Sequence, residues 1–170
     1  TYLQDRLRIT DQPIICYNGA LILKDQKELL SVAIDLEAVE EVYRLAETQS
    51  IKLGLYHGEE WYVEDTSERV EKEIIYTRTT PVFRSTSETM ADWAYRNISA
   101  HKIMLMGTKT SADAIFPLLS ERLGRRMQIY RSNDTLIELS PKSVSKLSAV
   151  QSLLSDNESL SDVISFGDNY

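Results

Sequence analysis

The chain has 170 residues, 42% of them hydrophobic and 26% charged, a length that suits one ordinary domain or a small domain with another inserted into it. A net charge of −7 argues against nucleic acid as a partner, because phosphate backbones attract a basic face. The lone cysteine, Cys16, rules out a disulfide framework or a two-cysteine zinc or redox site within one chain. No apolar stretch approaches the ~20 residues of a membrane span, and the first apolar run is too short and too late for a signal peptide, so a soluble, cytoplasmic protein is expected.

In chain order, Pro13-Ile14-Ile15-Cys16-Tyr17 is a short apolar run closed by the turn signal Asn18-Gly19. Ala20 to Lys24 and Glu28 to Asp35 follow as strand-like runs around Asp25-Gln26-Lys27, which predicts a hairpin. Asp35 is placed to cap a helix from Leu36 to Gln49, with Val39, Val42, Tyr43 and Ala46 along one face. Ile51 to Tyr56 and Trp61 to Val63 predict a second hairpin, turning at His57-Gly58-Glu59-Glu60. Ser67 to Ile75 and Glu88 to Tyr95 read as helices, with Pro81-Val82-Phe83 extended between them. Lys102 to Met106 is a strand, and Thr110-Ser111-Ala112-Asp113 resembles a capping box opening a helix with Ile115, Leu118, Leu119 and Leu123 on one face. Arg126 to Arg131 and Leu136 to Leu139 bracket the turn Ser132-Asn133-Asp134. This order predicts an antiparallel sheet with helices over one face.

The last thirty residues differ in character. Ser143 is read as the start of a helix whose Val144, Leu147, Val150 and Leu154 share a face. Val163-Ile164-Ser165-Phe166 resembles a buried parallel strand ending in Gly167-Asp168. With Pro13 to Tyr17, it suggests two pieces of one parallel α/β sheet flanking an inserted antiparallel domain. Two strands and two helices cannot cover both faces of such a sheet, so further chain, or another molecule, is expected to complete it.

Two residues stand out for chemistry. Lys146 falls about three residues inside the last helix, where unpaired backbone N–H groups and the helix dipole favour an anion, making a phosphate site; the alternative is a solvated surface lysine. Asp168 follows the C-terminal end of an apolar strand, where open α/β sheets place ligands; it is either an oxygen ligand for Mg²⁺ or the cap of a following helix. His57 and His101 lack ligand spacing and are expected to be solvent-exposed, whereas Met104 and Met106 are expected in or near the core. Gly107-Thr108-Lys109-Thr110 lacks the first glycine of a phosphate loop, and no dinucleotide or nucleophile-elbow motif occurs.

Three segments, Ile14-Ile15-Cys16-Tyr17-Asn18-Gly19-Ala20, Glu138 to Lys146 and Ile164 to Tyr170, occur in an order and spacing that resemble Cof-type phosphatases, the haloacid-dehalogenase branch with a type IIB cap. The resemblance covers essentially the whole chain. It implies an α/β fold in which a cap of antiparallel sheet plus helices, residues 20–136, is inserted in a Rossmann-like parallel core represented by 1–19 and 137–170. It further implies a Mg²⁺-dependent hydrolase of a small phosphorylated metabolite such as a sugar phosphate. Lys146 would hold the transferring phosphoryl group, Asp168 would bind Mg²⁺, and Asn18 would contact substrate. The family's usual glycines are replaced by Ser143 and Leu147, and its Asp-x-Asp-Gly-Thr nucleophile motif is absent from the 170 residues. The resemblance thus implies a chain cut short on both sides of the active site and inactive by itself. The competing expectation is a non-enzymatic α/β module that binds a small molecule or another protein.

Overall fold

The computed structural model describes residues 2–25 and 27–166. A short helix, α1 (Tyr2–Leu7), leads to β1 (Ile14–Cys16), a turn of 3-10 helix at Tyr17–Gly19, β2 (Leu21–Lys24) and β3 (Lys27–Ser31). These strands form one antiparallel sheet in the order β1-β2-β3, with Ile15 opposite Ile22. The hairpin expected around residue 26 is therefore present, although its second strand stops at Ser31 rather than Asp35.

Next come α2 (Leu36–Thr48), β4 (Lys52–His57), β5 (Glu60–Val63), α3 (Glu68–Thr77), β6 (Val82–Phe83) and α4 (Thr86–Arg96). They are followed by β7 (Lys102–Met106), α5 (Lys109–Leu123), β8 (Met127–Asn133), β9 (Leu136–Pro141) and α6 (Lys146–Leu153). Six strands make a second sheet in the order β6-β5-β4-β7-β9-β8, antiparallel except where β6 runs parallel to β5.

Side-chain alternation divides the large sheet into two faces. Leu53, Leu55, Ile103, Leu105, Ile137 and Leu139 meet Val39, Val42, Trp93, Ile115 and Leu119 from α2, α4 and α5 in the main core. Burying a leucine or isoleucine of this kind stabilises the fold by about 1.5–3 kcal/mol. Tyr56, Trp61, Val63, Met104, Met106 and Leu136 point the other way and pack with Val70 of α3. Helices therefore lie on both faces, not on one as the pattern predicted. The expected core positions of Met104 and Met106 hold.

Caps set the helix starts. The Asp35 carboxylate accepts from the Ala38 N–H at 2.9 Å, as read from the sequence. Ser85 and Glu88 form a full box ahead of α4, so this helix starts two residues before the expected Glu88. The box before α5 is Thr108 with Ser111, not one beginning at Thr110.

The end of the chain departs most from expectation. β1 pairs antiparallel with β2, and residues 163–166 form no strand; Ile164 and Phe166 are exposed. The two runs expected to share a parallel sheet are not paired within the described residues, since an apolar run becomes a strand only beside a partner able to take its hydrogen bonds. Of the face expected for the last helix, Val144 is buried and Val150 and Leu154 are half-buried, but Leu147 is exposed and Ala149 is fully buried in its stead. Among the described residues no helix is long and apolar enough to cross a membrane.

Candidate functional site

The turn after β9 positions Lys146. The Ser145 hydroxyl accepts from the Ser148 N–H at 3.0 Å, and the Ser148 hydroxyl accepts from the Ser145 N–H at 2.8 Å. This reciprocal cap makes Lys146 the first helical residue rather than the third or fourth, exposed to solvent and without an ion pair among the described residues. The cap uses the Ser148 N–H, and the amides of Lys146 and Leu147 have no partner among the described residues, with the positive end of the helix dipole beside the ammonium group. An anion placed there meets a cation and backbone donors together.

The linker between β1 and β2 lies against this helix start. Tyr17, Asn18 and Gly19 all have positive φ, at 53°, 57° and 103°. A β-carbon on Gly19 would lie 2.3 Å from the Ser145 carbonyl oxygen and 3.2 Å from the Lys146 nitrogen, so only glycine allows this approach. Asn18 is half-buried beside Gly19, and its amide makes no hydrogen bond within the described residues. Lys146 and Asn18, both singled out from sequence, are thus brought into one neighbourhood by the contact between the linker turn and α6. Asp168 lies outside the described residues.

Tyr17 faces the large sheet. Its hydroxyl donates to the Gly58 carbonyl at 2.7 Å, and its ring lies 5.8 Å from that of His101 at 9° and 6.0 Å from Tyr56 at 50°. Burial, with the nearby Cys16 and Glu59 adding to it, pushes the Tyr17 hydroxyl up to about 12, so it stays a donor. His101 is fully buried, contrary to the expected exposure. Its Nδ1 accepts from the Gly58 N–H at 3.0 Å, which leaves the ring proton on Nε2 to donate to the Ser31 hydroxyl at 2.9 Å. Burial, and next the charge of His57, lowers its pKa to about 4. His57 stacks on it at 4.5 Å and donates from Nδ1 to the Ser99 carbonyl at 2.6 Å. Within the described residues His101 thus both donates and accepts, and His57 donates.

On the sheet face shared with Tyr56, the Lys102 ammonium lies 3.5 Å from Glu138 and 4.8 Å from the centre of the Tyr56 ring. The Ser132 hydroxyl donates to Glu138 at 2.8 Å. The Gln128 amide of β8 donates to the Val144 carbonyl, two residues before Lys146, and ties the turn to the large sheet. Sequence reasoning missed Tyr17, Gln128 and Ser145; the Asn-Gly turn signal and the helix start near Lys146 were the pointers to this part of the chain. A cavity of about 620 Å³ beside the small sheet includes Asp5, Asp11, Asp25, Glu28 and Glu59 in its lining and would repel a phosphate ester. Among the described residues no three His, Cys, Asp or Glu side chains are grouped to hold a metal ion.

A family model described as haloacid dehalogenase-like hydrolase matches residues 2–170. The chain belongs to that family. No curated protein matches it. Among solved structures, a haloacid dehalogenase-like hydrolase from Bacteroides thetaiotaomicron is 21% identical with a TM-score of 0.77, over 89% of this chain and 57% of that one. A Thermotoga maritima protein is 22% identical with a TM-score of 0.71, over 89% and 58%. A structure described as a subclass IIB sugar phosphatase is 19% identical with a TM-score of 0.64, over 88% and 54%. The chain spans little more than half the length of these structures, and at such identities the likeness is one of α/β fold.

Proposed function

We propose that the chain is the cap and adjoining core segments of a Mg²⁺-dependent phosphatase acting on a small phosphorylated metabolite such as a sugar phosphate. Residues 20–136 form the cap, and 1–19 with 137–170 belong to the core. Lys146 holds the transferring phosphoryl group and offsets the charge that gathers on its oxygens. Asn18 contacts the bound ester, and Asp168 is a ligand of Mg²⁺. The observation that carries this reading is the exposed Lys146 ammonium, without an ion pair among the described residues, at a capped helix start against which the Asn18-Gly19 turn is packed. Lys102, Glu138 and Ser132 supply charged and hydroxyl groups on one sheet face, the chemistry that recognises a polyhydroxylated leaving group. No Asp-x-Asp-Gly-Thr segment occurs in the 170 residues, so the nucleophile comes from sequence outside them, and the 170-residue chain is expected to be inactive alone.

The test is release of phosphate from an aryl phosphate and a panel of sugar phosphates by the gene's whole product, in Mg²⁺ and after chelation. Hydrolysis that chelation abolishes is the expected result. A folded product that releases no phosphate from any of these esters in Mg²⁺ overturns the reading.

A further inference from the structure

We infer that Tyr17 is a positioning residue that couples the large sheet to the start of the Lys146 helix. The three-residue turn it opens has a different partner at each end. At the first end, the Tyr17 hydroxyl is bound to the Gly58 carbonyl at 2.7 Å, and its ring lies parallel to that of the buried His101. His101 in turn holds the Gly58 N–H, so Tyr17 and His101 together grip both polar groups of one residue in the β4–β5 turn. At the other end, Gly19 packs on the Ser145 carbonyl so closely that a β-carbon would be 2.3 Å from the oxygen.

The backbone between these ends is not a relaxed one. Asn18 at φ 57° is in a region asparagine tolerates, but Tyr17 at φ 53° is in one that a bulky side chain avoids. Such a turn persists only where surrounding contacts over-determine it. The side-chain contacts of Tyr17 are among those able to do so, together with the packing of Gly19 on Ser145. Releasing its side chain therefore frees the turn to relax, and Gly19 cannot move without moving relative to Ser145 and Lys146. Gln128 provides a second tie from the large sheet, to Val144, so the helix start is held from two sides. A phosphate ester that touches both Lys146 and the sheet face depends on this spacing, whereas inorganic phosphate at Lys146 alone does not. This catalytic consequence rests on the proposed phosphatase reading; the coupling itself does not.

Two measurements test it. In the gene's whole product, Tyr17→Ala is expected to raise KM for a sugar phosphate about tenfold while leaving inhibition by inorganic phosphate unchanged, and Tyr17→Phe, which keeps the ring, to show a smaller rise. In the 170-residue chain, amide hydrogen exchange of both variants is expected to quicken at Gly58 and also at Ser145 to Ser148. Faster exchange at Gly58 with the start of α6 unchanged in both variants overturns the coupling, as does an unchanged KM in an active enzyme. Should Tyr17→Ala not fold, Tyr17→Phe decides by the same readings. If the unmutated product releases no phosphate, the phosphatase reading fails, and hydrogen exchange alone decides the coupling.

Discussion

Gly19 and Ser145, distant in sequence, are in backbone contact: a β-carbon on the glycine would lie 2.3 Å from the serine carbonyl oxygen. Space and conformation act together here, because Gly19 also has φ 103°. Gly19→Ala is expected to lower stability by more than about 1 kcal/mol, read as a fall in the urea midpoint at unchanged slope. An unchanged midpoint would mean that the linker turn does not bear on α6.

Ser145 itself makes a second prediction. Its hydroxyl satisfies the Ser148 N–H, so Ser145→Ala is expected to cost about 1 kcal/mol and to expose amides at the start of α6 to hydrogen exchange. Protection should stay unchanged in α5, which is capped independently by Thr108 and Ser111. Equal loss of protection in both helices would contradict a local role for the cap.

The buried His101 gives a pH dependence with a definite sign. Its pKa is about 4 in the fold against an ordinary 6.5, so between these values the unfolded chain binds a proton that the folded chain refuses. The full stability is therefore present above about pH 6.5 and declines as pH falls toward 4, by up to about 1.4 kcal/mol per pH unit. Carboxylates titrate over part of the same range, so the reading is a difference: urea midpoints of the unmutated chain should fall more steeply with pH than those of His101→Gln. Parallel curves would show that His101 is not held neutral.

Trp93 separates packing from hydrogen bonding. It is fully buried, meets the Tyr62 ring edge-on at 5.9 Å, and its indole N–H finds no partner among the described residues. Trp93→Phe removes an unsatisfied donor together with some volume, and these effects oppose each other; a change within about 1.5 kcal/mol is expected. Trp93→Ala should cost about 3–5 kcal/mol. Calorimetry on the two variants checks the contrast, which would fail if Phe were as damaging as Ala.

Much of the fold is written locally in the sequence. The Asp35 cap with the apolar stripe Val39, Val42 and Ala46 specifies α2, and the alternation in β4, β7 and β9 specifies which side chains enter the main core. Errors fall where pairing or capping depends on a partner that local patterns do not reveal. The starts of α5 and α6 are misread by two residues because serine, not glutamate or glutamine, completes each box from the third helical position. Ile14 to Cys16 looks the same from its side chains whether it pairs parallel or antiparallel, and the fold sets it against β2. His101 appeared to be a polar residue before a strand, yet the Gly58 N–H and the Ser31 hydroxyl satisfy both ring nitrogens and allow full burial. Of the candidate site, the helix start near Lys146 and the Asn18-Gly19 turn were legible because both have local signatures, whereas substrate contact by Asn18 is implied by the family resemblance alone. The Tyr17 and Gln128 ties were not, since each is a long-range contact without a sequence pattern.

The central claim, that Lys146 holds the transferring phosphoryl group, is tested most directly by phosphate release from the gene's whole product with Lys146 intact and with Lys146→Ala, each confirmed folded by calorimetry. The account predicts a fall of about 100-fold or more in kcat/KM for the variant. Undiminished turnover in Lys146→Ala would contradict it.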